Sequence, residues 1–111
     1  MAIPELDSLR IARWCRARIP EHLWEQVRVE SEIADRHVTI VETRPPWDDS
    51  DREWTRSPIA RLRYTASTGF WSLYWQDRNL RFHVYDGTKP TKTFQSLLDH
   101  VGNSGDPIFW G

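Results

Sequence analysis

The clearest pattern in the chain is the alternation of side chains along Phe70-Trp71-Ser72-Leu73-Tyr74-Trp75-Gln76. Large apolar side chains occupy every second position, at Trp71, Leu73 and Trp75, which is the period of a β-strand with one buried face. Tyr74 must then lie on the opposite face. Burial of each large apolar side chain is worth about 2–3 kcal/mol, so this strand is predicted to cross the centre of the core.

Strands of the same period flank this segment on both sides. Residues 59–65 place Ala60, Leu62 and Tyr64 on one face, and the following Ser67-Thr68-Gly69 suits a tight turn with Gly69 in the left-handed conformation. On the other side, a turn at residues 77–79 leads into a predicted strand at 80–85. Further alternating runs at 27–33 and 37–44 predict a hairpin. Because consecutive strands joined by short turns are usually neighbours, we expect a five-stranded antiparallel meander.

A helix is predicted at each end of this sheet. Alternation predicts one apolar sheet face, formed by Val27, Val29, Ile33, Val38, Ile40, Ala60, Leu62, Tyr64, Trp71, Leu73, Trp75, Leu80, Phe82 and Val84. Helical spacing predicts apolar stripes of Leu6, Leu9, Ala12, Cys15 or Trp14, and Ile19 in the N-terminal helix, and of Phe94, Leu97, Leu98 and Val101 in the C-terminal helix. Apolar stripes and an apolar sheet face cover one another when both helices pack on one side of the sheet. The predicted fold is therefore α+β, in one domain spanning residues 1–111.

Composition excludes several classes of protein. A net charge of −1 excludes a globally basic nucleic-acid binder, although thirteen of the fifteen basic residues are arginine and only Lys89 and Lys92 are lysine. The apolar runs are far shorter than the ~20 residues of a membrane span. A lone Cys15 forms no internal disulfide, which fits a reducing compartment. We expect a cytoplasmic protein.

No pattern in the sequence indicates catalysis, a metal or a cofactor. The four histidines are scattered without the spacing of zinc ligands, and the acidic residues at 48–53 lack the glycine and distal glutamate of a calcium loop. No glycine-rich phosphate loop and no nucleophile with a placed base are present. We therefore predict no catalytic residue, no metal site and no cofactor, and keep an enzyme of unrecognised type as a third alternative.

The face opposite the apolar one carries arginine and aromatic side chains together. Single-stranded nucleic acids bind such surfaces, because bases stack on aromatic rings while arginine neutralises phosphates. The alternative is a solvated face on which Arg61 or Arg63 pairs across strands with Glu30 or Glu32. The candidate binding surface comprises Arg61, Arg63, Tyr74, Arg81, His83 and Tyr85.

Two large aromatic residues, Phe109 and Trp110, lie next to the last residue of the chain. Chain ends are usually polar, so these rings need cover from their own domain or from a partner. We expect them to dock on the domain, with Arg44 and Trp47 helping to receive them. The alternative is that they anchor a partner.

Three segments with the chain's last residues carry a resemblance to a known family: Arg44-Pro45-Pro46-Trp47, residues 54–61, residues 71–79 and Ile108-Phe109-Trp110-Gly111. Together they resemble a small bacterial family catalogued as a domain of unknown function, DUF3024. The resemblance covers nearly the whole chain. It implies no activity and no catalytic residue, and Phe82 stands where a tryptophan is expected in relatives.

These observations predict a small binding or interaction module that is not an enzyme. Its partner is a protein or, as the alternative, a single-stranded nucleic acid bound on the arginine and aromatic face. No membrane partner is expected.

Overall fold

The computed structural model describes residues 3–46, 48, 53–103 and 107–110, with only the backbone described at Pro107 and Trp110. Its elements are α1 (Glu5–Arg16), a 3₁₀ turn (Glu21–Leu23), β1 (Arg28–Ile33), β2 (His37–Arg44), β3 (Thr55–Thr65), β4 (Phe70–Gln76), β5 (Phe82–Val84), α2 (Phe94–Asn103) and α3 (Pro107–Trp110). The five strands form one antiparallel sheet in the order β1-β2-β3-β4-β5. The predicted α+β meander is confirmed.

The two faces of the sheet differ as the alternation of β4 predicts. Leu62 lies opposite Leu73, and both are buried in one apolar cluster with residues of all three helices. We call this side the helix face. Tyr74 lies opposite Arg61 on the other side, which we call the open face. Trp71 is 1% exposed, whereas Trp75 is only partly buried at the margin of the cluster.

β3 begins at Thr55, before its predicted start at residue 59, and contains a bulge. Ile40 lies opposite Ala60, but the next residue, Val41, lies opposite Pro58, so Ile59 is the extra residue. The part of β3 that contains Pro58 pairs with β2 alone, since β4 begins its pairing at Arg61. Proline is tolerated in strands at bulges and edges, which explains how it fits here.

The turn between β4 and β5 has three residues and reverses the predicted faces of β5. The N–H of Asp77 donates to the carbonyl of Arg81 at 2.9 Å, and the N–H of Leu80 donates to the carbonyl of Asp77 at 3.0 Å. Leu80 takes the left-handed conformation, with φ of 65°, where glycine is the usual residue. The strand therefore begins after Leu80. The predicted turn at residues 77–79 has the same odd length, so it already implied that even-numbered residues of β4 and β5 share a face, and the predicted apolar face of β5 did not take this into account.

The prediction of an apolar face formed by Leu80, Phe82 and Val84 is therefore wrong. Phe82 lies opposite Gln76 and Val84 opposite Tyr74, both on the open face, and His83 lies opposite Trp75 on the helix face. Leu80 is 73% exposed and Val84 is 54% exposed.

The predicted apolar stripe of α1 is confirmed at Cys15 and wrong at Leu6 and Leu9. Leu6 and Leu9 are each 59% exposed, while Ile11 and Cys15 are fully covered by the apolar cluster. Ile11 and Cys15 are four residues apart and so lie on one side of the helix. Turning this side toward the sheet leaves both leucines on the surface.

We expect Leu80→Asn to raise the free energy of unfolding by about 0.5–1 kcal/mol, because asparagine adopts the left-handed conformation at lower cost than leucine. The exposed leucine side chain buries little that would be lost. Urea denaturation measures the change. Leu80→Ala is the control, since alanine keeps the backbone penalty; equal stability of the two variants would contradict the strained turn.

Candidate anion-binding face

Six side chains near one end of β2, β3 and β4 form a shallow site on the open face. They enclose a concavity of about 200 Å³, and we call them the cationic-aromatic cluster. Its members are Arg36, His37, Arg61, Arg63, Tyr74 and Phe82. A second concavity of about 220 Å³ shares Arg36 and Arg63 and runs toward the β3–β4 turn.

The β1–β2 turn brings Arg36 and His37 to the site. The N–H of Ala34 donates to the carbonyl of His37 at 2.9 Å, which closes a two-residue turn at Asp35 and Arg36. The carbonyl of Arg36 in turn accepts the N–H of Tyr64 at 2.7 Å. His37 lies directly opposite Arg63 in the β2–β3 ladder. The hairpin register thus places Arg36 and His37 beside β3.

Arg61 is held flat within the cluster by two contacts. Its Nε donates to Thr39 Oγ1 at 3.0 Å, and its Cζ lies 3.8 Å from the centroid of the Phe82 ring. The ring quadrupole attracts a cation in this position. Because a guanidinium has five N–H donors, these contacts leave others for an anion.

Three arginines, Arg36, Arg61 and Arg63, make the site positive. Burial, then the charges of Arg61 and Arg63, lower the pKa of His37, and burial followed by Arg56 lowers the pKa of Arg61. Among the residues described, no Asp or Glu lines the concavity. Glu32, a predicted partner of Arg61 or Arg63, instead accepts hydrogen bonds from Arg56, with Nε to Oε2 at 2.7 Å. An incoming anion would therefore meet uncompensated cations.

Half of the predicted binding surface is found in this cluster. Arg61, Arg63 and Tyr74 lie together on the open face, as their alternation predicts. Arg81 does not line the site; it closes the β4–β5 turn, where its N–H donates to Asp77 Oδ1 at 3.0 Å.

The placement of His83 and Tyr85 on the open face is wrong, because both follow the three-residue turn. His83 Nε2 lies 2.6 Å from Asp77 Oδ2, and its ring packs 5.0 Å from that of Trp75. This hydrogen bond from His83 is the main cause that lowers the pKa of Asp77. Tyr85 packs against the apolar cluster, and its hydroxyl lies 3.0 Å from His100 Nε2.

Sequence reasoning missed the other half of the cluster. Arg36 lies in the predicted turn between the strands at 27–33 and 37–44, and His37 begins the second of these strands. A two-residue turn at this point would have placed His37 near β3. The same count applies to Phe82, because the predicted turn at residues 77–79 has an odd number of residues and so sets Phe82 on the face of Tyr74.

The predicted docking of the chain end concerns four residues, of which two have described side chains. Phe109 is 6% exposed, with its ring centroid 5.0 Å from that of Tyr85 and 6.3 Å from that of His100. Arg44 pairs with Glu42, Nε to Oε1 at 2.8 Å. Trp47 and the side chain of Trp110 lie outside the described residues.

Phe109→Ala is expected to lower the free energy of unfolding by about 3 kcal/mol or more, because it opens a cavity beneath α3. That loss is a large share of the 5–15 kcal/mol typical of a small domain. Thermal and urea unfolding measure it. The control is Phe70→Ala, at a site that is 38% exposed, with an expected loss of about 1 kcal/mol. Equal losses in the two variants would show that Phe109 contributes nothing beyond a surface ring.

The described part of the chain contains no group of three or more His, Cys, Asp or Glu residues that could hold a metal ion. No helix within it is long and apolar enough to cross a membrane.

The family model of the Domain of unknown function (DUF3024) matches residues 2–111 of the chain. Comparisons with curated proteins and with solved structures found no match.

Proposed function

We propose that this chain, which belongs to the family of the Domain of unknown function (DUF3024), is a binding module without catalysis. It holds single-stranded nucleic acid on its open face. We infer that residues 1–111 act as one domain, since one apolar cluster joins the sheet to α1, α2 and α3. We also infer a cytoplasmic location from the single buried Cys15.

The observation that carries this proposal is the cationic-aromatic cluster. Arg36 and Arg63 offer charge for phosphates, and Tyr74 lies beside them with an aromatic ring for a base. Stacking of a base on such a ring is worth about 1–3 kcal/mol. A site with these two components matches the alternating phosphates and bases of a nucleic-acid strand.

The shape of the site favours a single strand over a duplex. The cluster lies on the face of a sheet, where Tyr74 sits opposite Arg61 at the β3–β4 pairing. Reading a duplex requires an element that enters a groove, whereas unpaired bases can turn toward a flat sheet and stack. The overall charge of −1 confines the attraction for phosphate to this local patch.

Arg36→Ala combined with Arg63→Ala should weaken the binding of a labelled single-stranded oligonucleotide and flatten its salt dependence. Each lost phosphate contact reduces the slope of log K against log salt by about 0.7, so two reduce it by about 1.4. Fluorescence anisotropy over a salt series measures both quantities. Both arginines lie at the rim of the sheet and Arg63 is exposed, so the fold should persist.

The matched control is the double change Arg78→Ala and Arg81→Ala, which removes the same charge from the β4–β5 turn. An aromatic pair completes the test: Tyr74→Leu should lose about 1 kcal/mol or more of binding, and Tyr74→Phe should keep it. Equal effects of the two arginine pairs would show that the attraction depends only on net charge, and would rule out the cluster as the site.

Nucleic-acid binding should also strengthen as the pH falls. In the unbound protein the pKa of His37 is lowered by burial and by Arg61 and Arg63, and a bound phosphate would raise it again. Binding then takes up a proton, so affinity rises as pH falls through the ordinary histidine range, near about 6.5. An oligonucleotide of uridines, which does not titrate there, isolates the effect in anisotropy titrations.

The control for this effect is His37→Gln, which should bind with an affinity that is independent of pH in the same range. A pH dependence that survives in this variant would assign the effect to other groups and contradict the role of His37.

A further inference from the structure

A second surface lies at the outer edge of β1, away from the cationic-aromatic cluster. β1 is the first strand in the sheet order, and within residues 3–46, 48, 53–103 and 107–110 no strand pairs with its outer side. Such an edge presents backbone N–H and C=O groups that can pair with another chain.

The hydrogen-bond phase of the β1–β2 hairpin shows which residues present these groups. Ala34 and His37 form the hydrogen-bonded pair that closes the turn. Hydrogen-bonded and non-hydrogen-bonded pairs alternate along an antiparallel ladder, and the register from Ile33 to Arg28 has no bulge. Val29, Ser31 and Ile33 are therefore the residues whose backbone groups point outward.

A groove between α1 and this edge accompanies the outward backbone groups. It has a volume of about 690 Å³, and exposed Leu9 of α1 forms part of its wall. Val29 and Ser31 both line it, and Ser31, which is only partly buried, offers an outward N–H beside the groove. The groove is lined by Leu9, Ala12, Arg13, Arg16, Trp24, Arg28, Val29, Glu30 and Ser31.

The charge of the groove indicates what occupies it. Three arginines and one glutamate line it. Arg16 lies with its Cζ 5.6 Å from the Trp24 ring centroid, and Arg28 lies 4.4 Å from that of Trp54. Neither Arg13 nor Arg16 has an ion pair with any residue that the structure describes. The groove thus complements acidic side chains.

We propose that this edge binds an extended acidic segment of a protein partner, which adds to the sheet as a sixth strand beside β1. Backbone pairing supplies the affinity in this mode of recognition, and side chains at every second position supply the specificity. Acidic residues on the side facing α1 meet Arg13 and Arg16. A second copy of this chain would bring a second set of the same arginines to the groove, so charge favours an acidic partner over self-pairing.

The test uses the full chain and a fluorescein-labelled peptide of alternating threonine and glutamate. Threonine favours the extended conformation, and alternation places all the glutamates on one side. Anisotropy at low salt should show saturable binding. Ser31→Pro removes an outward N–H without touching the pairs with β2, and should weaken binding by about tenfold or more.

Each part of the proposal has a matched control. Ser31→Ala keeps the N–H and should bind normally. Arg13→Glu with Arg16→Glu should abolish binding, while Arg78→Glu with Arg81→Glu, an equal change of charge at the β4–β5 turn, should leave it unchanged. A peptide methylated on alternate backbone nitrogens, and one with lysine in place of glutamate, should both fail to bind. Circular dichroism verifies that each variant is folded.

The proposal is overturned if the acidic peptide does not bind, if Ser31→Pro binds as tightly as Ser31→Ala, or if the lysine peptide binds equally well. Sedimentation velocity covers the other occupant: a dimer that Ser31→Pro dissociates would assign the edge to a second copy instead. Oligonucleotide binding should be the same in the Ser31 variants as in the parent chain, so this test is independent of the open face.

Discussion

The burial of Trp71 is the interaction on which the rest of the structure depends. Its ring packs 5.0 Å from that of Tyr64 on β3 and 5.6 Å from that of Phe94 at the start of α2. Its backbone exchanges two hydrogen bonds with Thr91, at 2.7 and 2.9 Å, which tie the segment before α2 to the sheet. One residue therefore joins the sheet, the connection and the C-terminal helix. Because side chains of a strand alternate, its burial also turns Ser72 and Tyr74 toward the open face.

The two faces of the sheet are stabilised by different forces. The helix face is a continuous apolar cluster, whereas on the open face Thr39, Val41 and Thr43 of β2 are covered by long polar side chains of the neighbouring strands. Arg56 and Glu32 reach across β2 to each other, and Arg61 reaches across to Thr39. These arginines are engaged in covering the sheet. Arg36 and Arg63 are not hydrogen-bonded through their side chains to any described residue, which distinguishes them as the cations available to a ligand.

Sequence pattern predicted the sheet because its central strands have one apolar side and regular turns. The faces of β3 and β4 follow from period two, and Gly69 has the positive φ of 73° that the turn chemistry predicts. The face of β5 depends on whether the preceding loop has an odd or even number of residues, and the predicted turn at 77–79 already has an odd number. The face was assigned from the apolar side chains of Leu80, Phe82 and Val84 without that count, and the hydrogen bonds of Asp77 place the three-residue loop at residues 78–80. The rotation of α1 was undetermined as well, since the predicted stripe grouped Cys15 with Leu6 and Leu9, whereas packing against the sheet buries Cys15 together with Ile11.

The odd length of the β4–β5 loop, which ends at Leu80, also determines which residues form the candidate site. With an even loop, His83 and Tyr85 would stand beside Tyr74; with the three-residue loop, Phe82 takes that side and provides the ring on which Arg61 rests. His83 and Tyr85 pass to the helix face, where Tyr85 contacts His100 and Phe109 and so links β5 to α2 and α3. The same residue count thus supplies an aromatic support for the cationic-aromatic cluster and a packing partner for the end of the chain. The packing on both faces of the sheet depends on the phase that this turn sets. This packing therefore stabilises the strained conformation of the exposed Leu80.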